Sequence, residues 1–209
     1  MSLEQATLVE PLANAEYAIA MGRILSDDQV VVIGPGPIGI LCAKAAMFRN
    51  PSKVILTGTR EERLQLAREK FGVAQTLNIS ERGAEEHLIH DLLGNKGADV
   101  VVEASGSLSG LELAMRIAAK EARIILEGTQ AEGETVPLSR LTLRPGAQVI
   151  NIVTWRRIDY FNSMKYVESG RLDILPLMTH RIPLTQWEEG FDLVTNRKSE
   201  CLKVLLIPN

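Results

Sequence analysis

The run Val30-Val31-Val32-Ile33 passes directly into Gly34-Pro35-Gly36-Pro37-Ile38-Gly39, and this junction constrains the chain more than any other segment. Four consecutive strand formers ending in Gly-x-Gly-x-x-Gly specify a buried strand, a tight turn and a helix. The three glycines play separate parts. Gly34 turns the chain out of the strand, Gly36 lets backbone approach a pyrophosphate, and Gly39 lets the helix pack closely on the strand. The helix predicted over residues 37–48 carries Ile40, Leu41, Ala43, Ala46 and Met47 on an apolar stripe. Its first N–H groups and positive dipole end then face the phosphates. The dipole is worth only ~0.3–1 kcal/mol, so affinity has to come from many contacts.

After residue 28, strand and helix signals alternate. Strands are predicted at 29–33, 53–57, 75–78, 99–103, 123–127 and 148–153, with helices at 37–48, 61–71, 85–93 and 109–119. Such alternation builds a parallel sheet wrapped by helices, here an α/β, doubly wound, six-stranded Rossmann sheet. Gly133, Pro137 and Pro145 rule out one regular helix across 131–146, which is expected to be a loop. Beyond a helix over 158–168 closed by Gly170, the character changes. A strand at 179–183, an amphipathic stretch at 184–195 and a strand at 202–207 read as a C-terminal remnant of a second domain.

Composition narrows the function classes. A formal net charge of −3 over 209 residues leaves no electrostatic footprint for nucleic acid or an anionic membrane surface. No stretch has the length of a membrane span and the N-terminus lacks a signal-peptide pattern, so the expected location is cytoplasmic. Cys42 and Cys201 are the two cysteines, too few for a four-cysteine zinc lobe. Cys42 is expected to be a small buried hydrophobe.

The end of the second strand selects the nucleotide, since the residue roughly 20 positions past the glycine turn faces the adenosine ribose. An acid there selects NAD. This chain has Thr57-Gly58-Thr59-Arg60 instead. A carboxylate about 4 Å from a 2′-phosphate would be repelled by up to ~4 kcal/mol per unit charge at an effective dielectric of 20. Its absence, with a guanidinium two residues on, points to NADP(H) with NAD still possible. The alternative is that Arg60 opens the next helix and pairs with Glu61 or Glu62.

Taken together, these segments resemble the zinc-dependent medium-chain dehydrogenases, nearest to the sorbitol and threonine dehydrogenase branches. Val9-Glu10-Pro11-Leu12-Ala13 is similar to that family's Glu-Pro-Leu segment, and Gly34 to Gly39 to its Gly-x-Gly-Pro-Ile-Gly. Ala98-Asp99-Val100-Val101-Val102-Glu103-Ala104-Ser105-Gly106 resembles its fourth strand and cofactor loop. Met178-Thr179-His180-Arg181-Ile182-Pro183-Leu184, with Glu189-Gly190-Phe191, resembles the return to its catalytic domain. The resemblance implies a junction remnant at 1–17, a dinucleotide-binding domain at 18–170 and a return segment at 171–209. It places Gly34, Gly36, Pro37, Ile38 and Gly39 at the pyrophosphate, and Gly58, Thr59 and Arg60 at the adenosine ribose or its phosphate. Ser105, Gly106, Gly128 and Thr129 would lie at the nicotinamide and its ribose.

The departure from the family is the N-terminal domain that supplies the catalytic zinc ligands, which has no counterpart in this sequence. Glu10 would inherit a place at the zinc only with that domain supplied, since zinc needs three or four ligands. The implied activity is hydride transfer between a secondary alcohol or polyol and a nicotinamide, with the isolated chain expected to be inactive. The rival reading is a non-catalytic NADP(H)-binding or sensing module acting through a partner. Val9, Leu12, Ile182 and Leu184 should form an apolar surface if a domain is missing.

Other constellations carry less. His87 and His90 lie one turn apart on a polar stretch, which is the pattern of a solvated face. His180 is expected to order the return strand. Glu61-Glu62 and Glu188-Glu189 are adjacent and do not face each other on a helix. Tyr17, Tyr160 and Tyr166 are followed four places on by Met21, Met164 and Gly170, so the Tyr-x-x-x-Lys pair of short-chain dehydrogenases is absent. A methyltransferase would want an acid after the second strand. The apolar sixth strand lies at a sheet edge in this topology, and such edges pair with something. In the family it resembles two subunits join along this strand, so the resemblance implies a two-fold dimer through residues 149–153.

Overall fold

The computed structural model describes residues 1–129, 145–196 and 201–208. It opens on a 20-residue helix, α1 (Leu3–Gly22), where Ser2 Oγ accepts from Gln5 N at 3.1 Å and Gln5 Oε1 accepts from Ser2 N at 2.8 Å. This reciprocal cap satisfies two otherwise orphaned N–H groups. Pro11 sits inside the helix, an interior position that costs about 3 kcal/mol. Burial of Leu8 and Leu12 offsets it, at roughly 1.5–3 kcal/mol each. α1 is continuous across residue 17.

The remaining elements alternate. In order they are β1 (Gln29–Ile33), α2 (Pro37–Met47), β2 (Lys53–Gly58), α3 (Glu61–Phe71), β3 (Gln75–Asn78), α4 (Ala84–His87), β4 (Ala98–Glu103), α5 (Leu108–Ile117), β5 (Ala118–Leu126), β6 (Gln148–Asn151) and α6 (Arg157–Glu168). Then come β7 (Met178–Pro183), α7 (Trp187–Thr195) and β8 (Lys203–Ile207). Among the described residues, β1 to β6 form one parallel sheet in the order β3-β2-β1-β4-β5-β6, and β7 and β8 pair in parallel separately. The expected doubly wound sheet is therefore present, with its topological switch between β1 and β4.

Alternation along each strand feeds two cores. Val30, Val32, Val100 and Val102 pack toward α1 and α2 with Leu12 and Leu41, while Val31, Ile33, Val101 and Ile124 pack the other way with Leu113 and Ile117 of α5. Both faces being covered explains why these strands read as unbroken apolar runs.

Several expected boundaries move. The helix expected over 109–119 ends at Ile117 because Ala118 turns extended and pairs with Ala98, which lengthens β5 toward its start. Glu121, at φ 63°, kinks that early portion and its N–H donates to the Pro145 carbonyl. The helix expected over 85–93 splits into α4 and a π turn at Leu88–Leu92, whose Leu93 N to Leu88 O bond lets both leucines enter the second core. β6 stops at Asn151, leaving Ile152 buried and Val153 86% exposed. The 184–195 stretch divides into a 3₁₀ turn at Leu184–Gln186 and α7. Residues 131–144 of the expected loop lie outside the described residues.

Polar ties fix the ends of the chain to this frame. Arg181 of β7 meets Glu4 of α1 in a two-pronged ion pair at 2.7 and 2.8 Å, which draws the Glu4 carboxyl below its ordinary range. Buried Asp28 accepts from Arg123, and the same guanidinium donates to the Gly22 and Arg23 carbonyls, so the end of α1 is tied to β5. Glu16 pairs with Arg49 at 2.8 Å, yet its burial raises its carboxyl above the usual range. No described helix is long and apolar enough to cross a membrane.

Candidate functional site

β1 ends where the glycine turn begins, and the space there demands glycine at three positions. Gly34 sits at φ 106°, and a Cβ on it would lie 2.7 Å from Ser105 N. A Cβ on Gly39 would stand 1.8 Å from the Gly34 carbonyl oxygen, so α2 can approach the turn only with glycine there. Gly58 backs the turn from β2, where a Cβ would meet Pro35 Cδ at 2.1 Å. Gly36 differs: nothing lies within 4 Å of its added Cβ, and that face opens on a crevice.

The crevice has a volume of about 370 Å³. Gly34, Gly36, Thr59, Arg60 and Ser105 line it from the carboxyl ends of β1, β2 and β4, where a doubly wound sheet receives its ligands. Pro37 occupies the first position of α2, which spares a missing N–H. Ile38 follows it half-buried. Gly128 and Thr129 stand apart, lining a second cavity of about 310 Å³ beside Glu127 and Asn151 at the ends of β5 and β6. Gly106 joins the two regions, since a Cβ on it would lie 2.6 Å from the Thr129 carbonyl oxygen.

Arg60 precedes α3 and is half-buried at the crevice. Among the described residues its guanidinium has no hydrogen-bond or ion-pair partner, while its carbonyl accepts from Arg63 N and Leu64 N; Glu61 is taken by Arg68 at 2.7 Å. Arg60 does open the helix, standing at the N-cap of α3, but among the described residues it forms no ion pair with Glu61 or Glu62.

Four residues do not stand out in the sequence: three that line these cavities and one buried beneath their loops. Arg63, one helical turn beyond Arg60, lines the crevice and donates to the Cys201 carbonyl. Its spacing of three from Arg60 is the available signal. Ser107 caps α5 by accepting from Gly110 N at 3.0 Å. Glu103, fully buried at the end of β4, accepts from Ser105 N at 2.8 Å and Gly106 N at 3.2 Å. A charged residue closing a run of valines is the signal for it. Glu127 is pushed up from 4.5 to about 7, by burial first and then by the neighbouring charge of Glu10.

The zinc question is local. Glu10 Oε1 accepts from Asn14 Nδ2 at 2.7 Å and from Trp155 Nε1 at 3.1 Å. Among the described residues no three His, Cys, Asp or Glu side chains come together, so these residues alone do not fit a zinc ion. His87 pairs with Asp91 at 2.7 Å on an exposed helical face, and His180 Nδ1 meets Thr179 Oγ1 at 2.9 Å within β7. Cys42 is fully buried, which holds its thiol well above the ordinary range.

A six-stranded parallel sheet switching at β1/β4, with a glycine-lined crevice at its carboxyl edge, defines a doubly wound domain of the Rossmann type. The family of zinc-binding dehydrogenases matches residues 37–169, and the chain belongs to that family, the zinc-type medium-chain dehydrogenases, which depend on NAD(P). It is similar to an erythritol/L-threitol dehydrogenase of Mycolicibacterium smegmatis, 34% identical over 98% of this chain and 56% of the relative. An L-threonine 3-dehydrogenase of Bacillus velezensis is 32% identical over 97% of this chain and 58% of its own length. The fold is shared with an Escherichia coli alcohol dehydrogenase solved in complex with NADH, at TM-score 0.83 and 23% identity, covering 99% of this chain and 60% of that one. The chain thus spans less than three-fifths of the length of these two relatives.

Proposed function

We propose that this chain is the NADP(H)-binding portion of a zinc-dependent alcohol or polyol dehydrogenase, and that it does not turn over substrate alone. The observation that carries the nucleotide preference is Arg60, half-buried at the crevice with no partner to its guanidinium among the described residues, beside Gly58 where an NAD-selecting acid would stand. In this reading Gly34, Gly36 and the first turn of α2 hold the pyrophosphate, Thr59 and Arg60 the 2′-phosphorylated ribose. Ser105, Gly106, Gly128 and Thr129 hold the nicotinamide half. When bound, the nicotinamide supplies the hydride acceptor at its C4 position. What this chain's residues do is bind and orient: N–H groups face the phosphates and the guanidinium meets the extra charge.

Residues 1–17 and 171–209 are assigned to the junction with a second domain and 18–170 to the nucleotide-binding domain. The edge position of β6, with Val149 and Val153 exposed, supports a homodimer through residues 149–153, and the proposed location is cytoplasmic. The test is a paired titration with NADP(H) and NAD(H), beside a turnover screen on polyols with added zinc. Tighter NADP(H) binding without turnover is expected; tighter NAD binding, or robust turnover, would overturn the corresponding half.

A second reading, a non-catalytic nucleotide-binding module acting through a partner, draws on the surface. Val9, Leu12 and Ile182 are buried within the chain, whereas Leu184, Trp187, Phe191 and Val194 are exposed together on and before α7. Such a patch supports contact with another protein surface in either reading.

A further inference from the structure

The geometry points to Glu103 as a positioning residue for the nicotinamide half of the cofactor, acting through the loops after β4 and β5; the inference rests on the nucleotide-binding reading above. Glu103 is the last residue of β4, at 0% exposure, between the glycine crevice and the β5/β6 cavity. Its Oε1 accepts from Ser105 N at 2.8 Å and from Ser105 Oγ, and its Oε2 from Gly106 N at 3.2 Å. Its backbone carbonyl accepts from Glu127 N at 2.9 Å and Gly128 N at 2.8 Å. One residue thus sets both loops that the fold presents to the far end of a dinucleotide.

The seat is built for a carboxylate. A Cβ on Gly110 would lie 2.7 Å from Oε1, and one on Gly128 2.7 Å from Oε2, so two glycines clear the volume that the two oxygens occupy. An ionised carboxylate is acceptor-only and matches donors on both sides. A glutamine in its place accepts on one side only and turns an N–H toward an N–H on the other. The loss falls on the Ser105–Gly106 peptide and leaves Thr59 and Arg60, which follow a different strand, where they are.

The test uses the full chain with two ligands, NADPH and adenosine 2′,5′-bisphosphate, which lacks the nicotinamide half. E103Q is expected to weaken NADPH about tenfold or more, the loss of a hydrogen bond to a charged group. It should also abolish the fluorescence enhancement of bound nicotinamide and leave the bisphosphate affinity within twofold. E103D, which keeps the charge, should recover part of the NADPH binding. If E103Q does not fold, S105A should show the same selective loss at smaller size. Parallel weakening of both ligands, or no weakening of NADPH, would overturn the role assigned to Glu103. A wild-type chain that binds neither ligand would overturn the nucleotide reading itself, which keeps the two failures distinct.

Discussion

Arg63 Nη2 donates to the carbonyl oxygen of Cys201 at 2.6 Å, across 138 positions of sequence, and so ties α3 to the segment that leads into β8. Cys201 and Leu202 thereby form one wall of the crevice whose other walls are the glycine turn and Thr59. The crevice is closed by the C-terminal segment as well as by the sheet.

Removing that tie should loosen the wall. Arg63→Ala is expected to cost about 1.5–3 kcal/mol, the range for a hydrogen bond involving a charged group. It should raise the rate at which a thiol reagent labels Cys201 by about tenfold. Cys42 is the internal control, since full burial suppresses its thiolate in either protein. Mass spectrometry of the labelled peptides reads both sites at once. Equal labelling rates at Cys201 before and after the substitution would show that the contact does not hold the wall.

The glycines of the turn separate stability from binding. Gly39→Ala forces a Cβ to 1.8 Å from the Gly34 carbonyl, so α2 must retreat, and a loss of about 3 kcal/mol or more is expected from such overpacking. Gly36→Ala meets nothing within 4 Å in the free protein. Its melting temperature should stay within about 2 °C of wild type while NADPH affinity falls at least about tenfold, because the new methyl projects where the pyrophosphate approaches. Thermal melts and nucleotide titrations on the same two variants separate these outcomes.

The parts legible in the sequence are those where a local pattern and the tertiary environment agree. Strands β1, β2 and β4 are covered on both faces, so Val30 to Ile33 and Val100 to Val102 stand out as apolar runs. α1 is not legible as a helix. It is buried on several sides, from Leu8 round to Ala18, which erases an amphipathic stripe, and Pro11 reads as a break that only packing against α2 and α6 overrules. The start of β5 reads as helix because Ala118 and Ala119 are good helix formers; pairing with β4 decides otherwise. At the crevice, glycine spacing announces the turn. Arg63 and Glu103 act through contacts with residues such as Cys201 and Gly128, which no local window contains.

The proposed nucleotide preference is tested at one position. Arg60→Ala should weaken NADP(H) by about 10- to 100-fold, the value of a charge-assisted pair with a phosphate, and change NAD(H) affinity by less than about twofold. Calorimetric titration of both nucleotides into both proteins gives the four affinities needed. If NADP and NAD weaken together, Arg60 orders α3 and does not read the 2′-phosphate.

Glu127 makes stability depend on pH in a stated direction. Its carboxyl is raised from 4.5 to about 7, because burial disfavours the charge and Glu10 adds a like charge nearby. A folded-state value above the unfolded one means that the folded chain holds the extra proton. The associated stability is fully present below about pH 4.5 and is lost as pH rises through about 7. The full shift would be worth about 3 kcal/mol, and for a half-buried carboxyl open to screening about 1–2 kcal/mol is expected. Glu127→Gln carries no such proton, so the stability difference between variant and wild type should shift by that amount in favour of the variant between about pH 4.5 and pH 8.5. Urea unfolding of both proteins across this range reads the difference, in which titrations common to the two cancel. Glu10→Gln should move the midpoint of the wild-type transition downward, since it removes the like charge that helps to hold the proton on Glu127. A difference that stays flat with pH would mean that Glu127 ionises as an ordinary surface carboxylate and that its cavity is wet.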